Sequence, residues 1–198
     1  MAENKIKQSK FGASGFTLVE MIVAVAVFAV AALALLNIYM INNATQRKIA
    51  AISLVTVEAR YALETMTRAT RTGAIDYSYY SDGTVSNIQN ELAIEDSGGN
   101  NIVFKMGVSG DGYCSDRGDC ILYKIGSIDW TPLTSDDVEA TRLDFYIYPP
   151  QNPLLTGASL PAQPRVTMVF TLRNITVKTA ERKVIELQTT VSSRVYKR

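Results

Sequence analysis

Few residues in this chain are equipped for chemistry. Its 198 residues include no histidine and only two cysteines. That excludes a Ser-His-Asp triad, an HExxH zinc site and any imidazole base. Two thiols cannot build a four-thiolate metal site. Two groups remain. One is Glu20, a lone acid at the head of a long apolar run, four residues after Phe16 and five after Gly15. A carboxylate near hydrocarbon costs roughly 2.5–3.5 kcal/mol on insertion scales, so such a residue is expected to have a function. The other is Cys114 and Cys120 in DGYCSDRGDC, with Asp111, Asp116 and Asp119 around them.

The elements that must position these groups are legible from composition. Phe16 to Thr72 contains neither glycine nor proline, and Met21 to Gln46 carries no charged side chain. Met21 to Ile41 reads MIVAVAVFAVAALALLNIYMI, in which Asn37 is the only strongly polar residue. About 20 apolar residues at about 1.5 Å rise span a bilayer's hydrocarbon core. A membrane-embedded helix is therefore expected rather than a buried core helix. Lys5, Lys7 and Lys10 precede it against one acid, Glu3, which places the N-terminus in the cytoplasm and the rest of the chain outside the membrane. Arg47 and Lys48 at the far end weaken that asymmetry a little. No small-residue cleavage site follows the run, so the segment is expected to be kept.

The helix is expected to continue through residues 44–72. Ile49, Ile52, Val55, Ala59, Leu63, Met66 and Ala69 form one apolar stripe, Arg60, Glu64 and Arg68 stand on another face, and Gly73 stops the helix. Unbroken, it would measure about 85 Å. Beyond it the period changes to two. Ile102/Phe104/Met106, Ile121/Tyr123/Ile125, Leu143/Phe145/Ile147, Val166/Met168/Phe170/Leu172 and Ile185/Leu187/Thr189/Val191 each alternate with their neighbours. An antiparallel sheet follows, and the fold class is α+β. Five of the six prolines lie between Pro149 and Pro164, which reads as a long loop. Residues 74–100, with Asp82-Gly83 and Gly98-Gly99, read as loop with room for one short strand.

The stretch Gly15-Phe16-Thr17-Leu18-Val19-Glu20, after a basic leader and before the apolar helix, resembles the class III signal of type IV pilins and type II secretion pseudopilins. The resemblance implies cleavage between Gly15 and Phe16 by an inner-membrane prepilin peptidase and N-methylation of Phe16. It divides the chain into a cytoplasmic leader (1–15), a transmembrane and filament-core helix (16–43), the amphipathic half of that helix (44–72) and a β-rich globular domain (73–198). Glu20 of one subunit would pair with the Phe16 amine of the next and set the register of assembly. A late stretch, Pro164 to Met168, the ending Leu187 to Arg194 and the length resemble the minor pseudopilins and minor pilins of the J/W type, which help to prime assembly. The larger K-type lacks the acid. Implied partners are the prepilin peptidase, an inner-membrane platform with its cytoplasmic ATPase, other pilin-like subunits, and membrane lipid before assembly. No cofactor is implied.

In an extracytoplasmic domain the first reading of Cys114 and Cys120 is a small-loop disulfide, with free thiols or a metal pair as alternatives. The neighbouring acids do not follow EF-hand spacing, which needs a terminal glutamate. No metal site is assigned, and Asp136, Asp137 and Glu139 read as a solvated turn. Beyond Thr72 the chain holds 12 Lys/Arg and 15 Asp/Glu. Net −3 is the wrong sign for tracking phosphates, so no nucleic-acid partner is expected, and Arg194, Lys197 and Arg198 read as a solvated tail. Tyr77, Tyr79 and Tyr80 read as core or a subunit contact. There is no Walker loop, nucleophile elbow or GxGxxG after a strand, and the chain is not expected to be an enzyme. An adhesive or DNA-capturing minor pilin, a major pilin subunit and a membrane-tethered enzyme are the rival readings.

Overall fold

The computed structural model describes residues 15–80, 85, 88–153, 162–175 and 182–194. The leader lysines, Asp82-Gly83, Pro161, Lys197 and Arg198 lie outside them. The chain divides into two units, Met1–Gln46 and Arg47–Arg198. One helix, α1 (Leu18–Thr72), carries both the apolar run and the amphipathic stretch, as its lack of glycine and proline predicts. In the first unit the helix is apolar and uncovered. Phe28 is 74% exposed, and none of the most apolar window is buried. The helix is long and apolar enough to cross a membrane.

In the second unit the buried stripe of α1 is Val55, Ala59, Ala62, Met66 and Thr70. Leu63 and Ala69 are half-buried, whereas Ile49 and Ile52 are exposed. The covered face thus begins later than the apolar spacing predicts, and it admits small Ala62 and Thr70, whose hydroxyl donates to the Met66 carbonyl at 2.8 Å. Glu64 and Arg68 form the expected exposed (i, i+4) ion pair at 2.7 Å. Gly73 ends the helix for a reason of space. A Cβ there would overlap Ile94 Cγ2 and lie 2.7 Å from the Glu95 carbonyl oxygen, while its backbone is not left-handed.

Two antiparallel sheets complete the second unit. The first has the order β1 (Ala74–Ile75), β2 (Glu91–Glu95), β3 (Asn101–Gly107), β4 (Cys120–Ile125), β5 (Thr131–Pro132). The second has the order β6 (Val138–Tyr148), β7 (Arg165–Asn174), β8 (Val184–Ser192). The five alternating runs all lie on strands. The stretch read as loop with room for one short strand holds two, β1 and β2. The centre of β2, Leu92-Ala93-Ile94, is buried on both faces, so it shows no alternation.

Register aligns Leu92, Phe104 and Tyr123 across the first sheet and Leu143, Phe170 and Leu187 across the second. Val55, Ala59, Ala62 and Met66 share one hydrophobic core with Phe104, Phe145, Met168 and Phe170. The sheets meet where Gln89 and Phe145 exchange two backbone hydrogen bonds of 2.8 and 2.9 Å. The proline-rich stretch carries no strand among its described residues.

Candidate processing and assembly site, and the disulfide loop

The head of α1 is built by its own sequence. Thr17 is the residue before the first helical turn, and Met21 N–H donates to its carbonyl at 3.2 Å. Glu20 Oε2 accepts from both the Thr17 backbone N–H and the Thr17 hydroxyl, each at 3.0 Å. Glu20 N–H donates back to Thr17 Oγ1 at 3.3 Å. This reciprocal arrangement is a capping box, and Thr17-Leu18-Val19-Glu20 carries its T-x-x-E signature. That signature is legible in the sequence, and it gives Glu20 a role within its own chain beside the intermolecular pairing expected of it. Oε2 holds the helix start, while Oε1 takes no part in the box.

Phe16 is 81% exposed among the described residues. A Cβ added to Gly15 would meet no atom within 4 Å. Among the described residues, no packing contact fixes either of them.

Cys114 and Cys120 are joined by a disulfide, with their Cα atoms 5.6 Å apart. The bonded pair packs with buried Leu122 and with Trp130. Trp130 in turn carries two ammonium groups over its ring, Lys105 Nζ at 4.1 Å and Lys124 Nζ at 5.1 Å from the centroid. Nothing in the spacing of these three residues announces that cluster.

The nearby acids bind the loop's own backbone. Asp111 Oδ1 accepts from Tyr113 and Cys114 N–H, both at 2.9 Å, and its Oδ2 from Val108 N–H at 3.3 Å. Asp119 accepts from Ser109 N–H at 2.9 Å. The N–H groups of Cys114 and Tyr113 hold the Asp111 carboxyl below the usual carboxylate range. Tyr113 donates its hydroxyl to Asp129 at 2.8 Å, tying the loop to the segment before β5. Among the described residues, no group of three or more His, Cys, Asp or Glu is placed to hold a metal ion.

The other residues singled out by sequence separate in space. Tyr77 and Tyr80 are buried, and their hydroxyls donate to the Pro149 and Glu91 carbonyls, while Tyr79 donates to the Glu91 carboxylate. Burial pushes the Tyr77 phenol up to about 12. Glu139 is not part of a solvated turn. It lies on β6 and accepts two hydrogen bonds from the Arg173 guanidinium, at 2.7 and 2.8 Å. A shallow groove of about 410 Å³ runs between the C-terminal half of α1 and β3–β4, with Tyr61, Phe104, Tyr123 and Ile125 in its lining. Its charged members, Glu64 and Arg68, are already paired with each other.

Residues 10–36 match the family model described as the prokaryotic N-terminal methylation motif. The matched stretch spans the Gly15-Phe16 junction, the capping box and the first turns of α1. It supports a relationship to the type IV pilins and pseudopilins and a structural subunit as the class of protein. The motif implies processing by a prepilin peptidase and assembly with other pilin-like subunits, and together with the apolar helix it fits an anchor in the inner membrane. No curated protein and no solved structure matches the chain.

Proposed function

We propose that the chain is a minor pilin-like structural subunit of a type II secretion pseudopilus or type IV pilus. The supporting observation is the coincidence at one place of the methylation motif, a capped helix start and an uncovered apolar helix. In this reading the 1–15 leader stays in the cytoplasm, the peptidase cuts after Gly15, and Phe16 becomes the N-methylated terminus. The apolar half of α1 holds the subunit in the inner membrane and then packs against other subunits' helices in the filament, driven by the platform and its ATPase. The β-rich domain lies on the filament surface or at its tip, where it helps prime assembly.

Glu20 serves twice in this mechanism. Oε2 keeps Thr17 as the cap, which holds the new amine at Phe16 beside the helix start, and Oε1 accepts the Phe16 amine of the neighbouring subunit. Pairing removes the cost of two uncompensated charges near hydrocarbon and fixes the axial register. The experiment is the intact mass and N-terminal residue of chain extracted from membranes that contain its own prepilin peptidase. A chain beginning at N-methylated Phe16 is expected. A chain retaining Lys5 to Gly15 under those conditions overturns the proposal.

A further inference from the structure

Asn37 is the one strongly polar side chain between Met21 and Ile41, and Asn42 follows that run directly. Both are exposed, and among the described residues neither side-chain amide has a hydrogen-bond partner. Beside hydrocarbon, where water is scarce, such an amide gains from a partner on another helix. Regular α geometry, about 100° and 1.5 Å per residue, fixes where these groups stand on α1. Asn42 follows Glu20 by 22 residues, which returns it to within about 40° of the same face. Asn37 stands about 140° from Asn42, on the other side of the helix. A shallow groove of about 460 Å³, lined by Leu18, Ile22, Val25 and Ala29 among others, also lies on the side away from Glu20.

The pairing of Glu20 with the Phe16 amine of the next copy sets an offset of four residues, about 6 Å along the helix. That offset brings Asn37 of the next copy level with Ile41, about 1.5 Å from the level of Asn42. Asn43 would stand about 3 Å off level and about 100° round from Asn42. Pairing Asn37 with itself would need zero offset, which would leave Glu20 without the amine.

We infer that copies of this chain adjoin in the filament and that Asn37 of one copy hydrogen-bonds Asn42 of the copy before it. Each carboxamide both donates and accepts, so the two groups complement each other. Neighbouring copies are then fixed at both ends of the apolar run, by Phe16 with Glu20 at its start and by the two amides at its end. The inference rests on the filament reading above. Because its two halves occupy opposite sides of one helix, the contact is heterologous and does not close on a pair. All helices point the same way, as anchoring in one membrane requires. A joined pair keeps one unused face carrying Glu20 and Asn42, so it can seed further addition in one direction.

Cysteine variants of the full chain test this in cells that carry its prepilin peptidase and assembly platform, because the native cysteines are bonded and leave no free thiol. On mild oxidation of sheared filaments, Asn37→Cys/Asn42→Cys is expected to give a ladder of dimers, trimers and longer species, since each copy links on both sides. Asn37→Cys alone and Asn42→Cys alone are expected to stay monomeric. The two single variants expressed together with unchanged chain are expected to stop at dimers, and they give the same test if the double variant fails to assemble. Asn37→Cys/Asn43→Cys is expected to link at least tenfold less. The intact mass of the same material reports cleavage after Gly15 separately. Processed filaments without a 37–42 link would overturn the pairing and leave the subunit reading in place. So would equal linking at 37–43, dimers from either single variant, or a link to a protein of different mass. Unprocessed chain that never reaches filaments would overturn both.

Discussion

Ser193 Oγ donates to the Gly73 carbonyl at 2.6 Å, across 120 residues of sequence. The bond joins the residue after β8 to the residue that ends α1, and Arg194 N–H reinforces it by donating to the Arg71 carbonyl at 3.3 Å. Ser193 is 1% exposed, so water cannot readily replace its hydroxyl.

Ser193→Ala should therefore leave a buried carbonyl unsatisfied and cost about 1–3 kcal/mol. Gly73→Ala should cost a similar amount, about 1–3 kcal/mol, by pushing the helix end off Ile94 and Glu95. Urea unfolding of the detergent-solubilised chain, followed by Trp130 fluorescence, reads both. An unchanged midpoint for Ser193→Ala would show that the clasp contributes nothing.

The two roles assigned to Glu20 separate by substitution. Glu20→Gln keeps an oxygen acceptor for Thr17 but loses the charge, and Thr17→Ala loses the cap but keeps the charge. Membrane insertion is expected to survive both changes and Glu20→Ala as well. Filament incorporation, scored by shearing and immunoblotting, should fail for Glu20→Gln and Glu20→Ala but fall only partly for Thr17→Ala. Normal incorporation of Glu20→Ala would end the pairing hypothesis.

The Cys114–Cys120 bond closes a short loop, with a sequence separation of 6. Chain-entropy reasoning gives such a loop about 2 kcal/mol of stabilisation. A Cys114→Ser/Cys120→Ser variant should lose about that much and expose Trp130, shifting its emission to longer wavelength. Equal urea midpoints for the two chains would contradict this.

Asp111 offers a pH test. Its folded carboxyl is held below the ordinary 3.8, first by the Cys114 N–H and then by the Tyr113 N–H. The ionised form is the one favoured by folding, so its contribution is complete above 3.8 and is lost as the pH falls through the depressed value. The amide shifts of Tyr113 and Cys114 should titrate with a midpoint below 3.8, and Asp111→Asn should remove that transition. A midpoint at or above 3.8 would show that the loop does not favour the carboxylate.

The fold was legible where one face of an element is buried and the other is wet. The alternation on β6 and β8 and the absence of glycine and proline in α1 carry that signal, whereas β3 and β4 alternate in residue type although Val103 with Phe104 and Ile121 with Leu122 are buried on both faces. β2 was hidden because Leu92, Ala93 and Ile94 are all buried. The helix stripe was misplaced at Ile49 and Ile52 because side-chain type cannot tell where the covering sheets begin. At the site, Gly15, Phe16 and Glu20 stood out by their order along the chain, and the cap was equally readable from Thr17 to Glu20. The roles of Asp111 and Glu139 were not readable, since both depend on which backbone or guanidinium N–H groups the fold brings to them.

Both sheets are meanders, with every hydrogen-bonded neighbour also the next strand in the chain. Each pairing closes a short interval, which favours fast formation over long searches. A domain whose strands appear in chain order behind an anchored helix can thus zip its hairpins in order of appearance. The clasp between Ser193 and Gly73 must wait for β8, so the end of α1 is tied down after the hairpins and not before them.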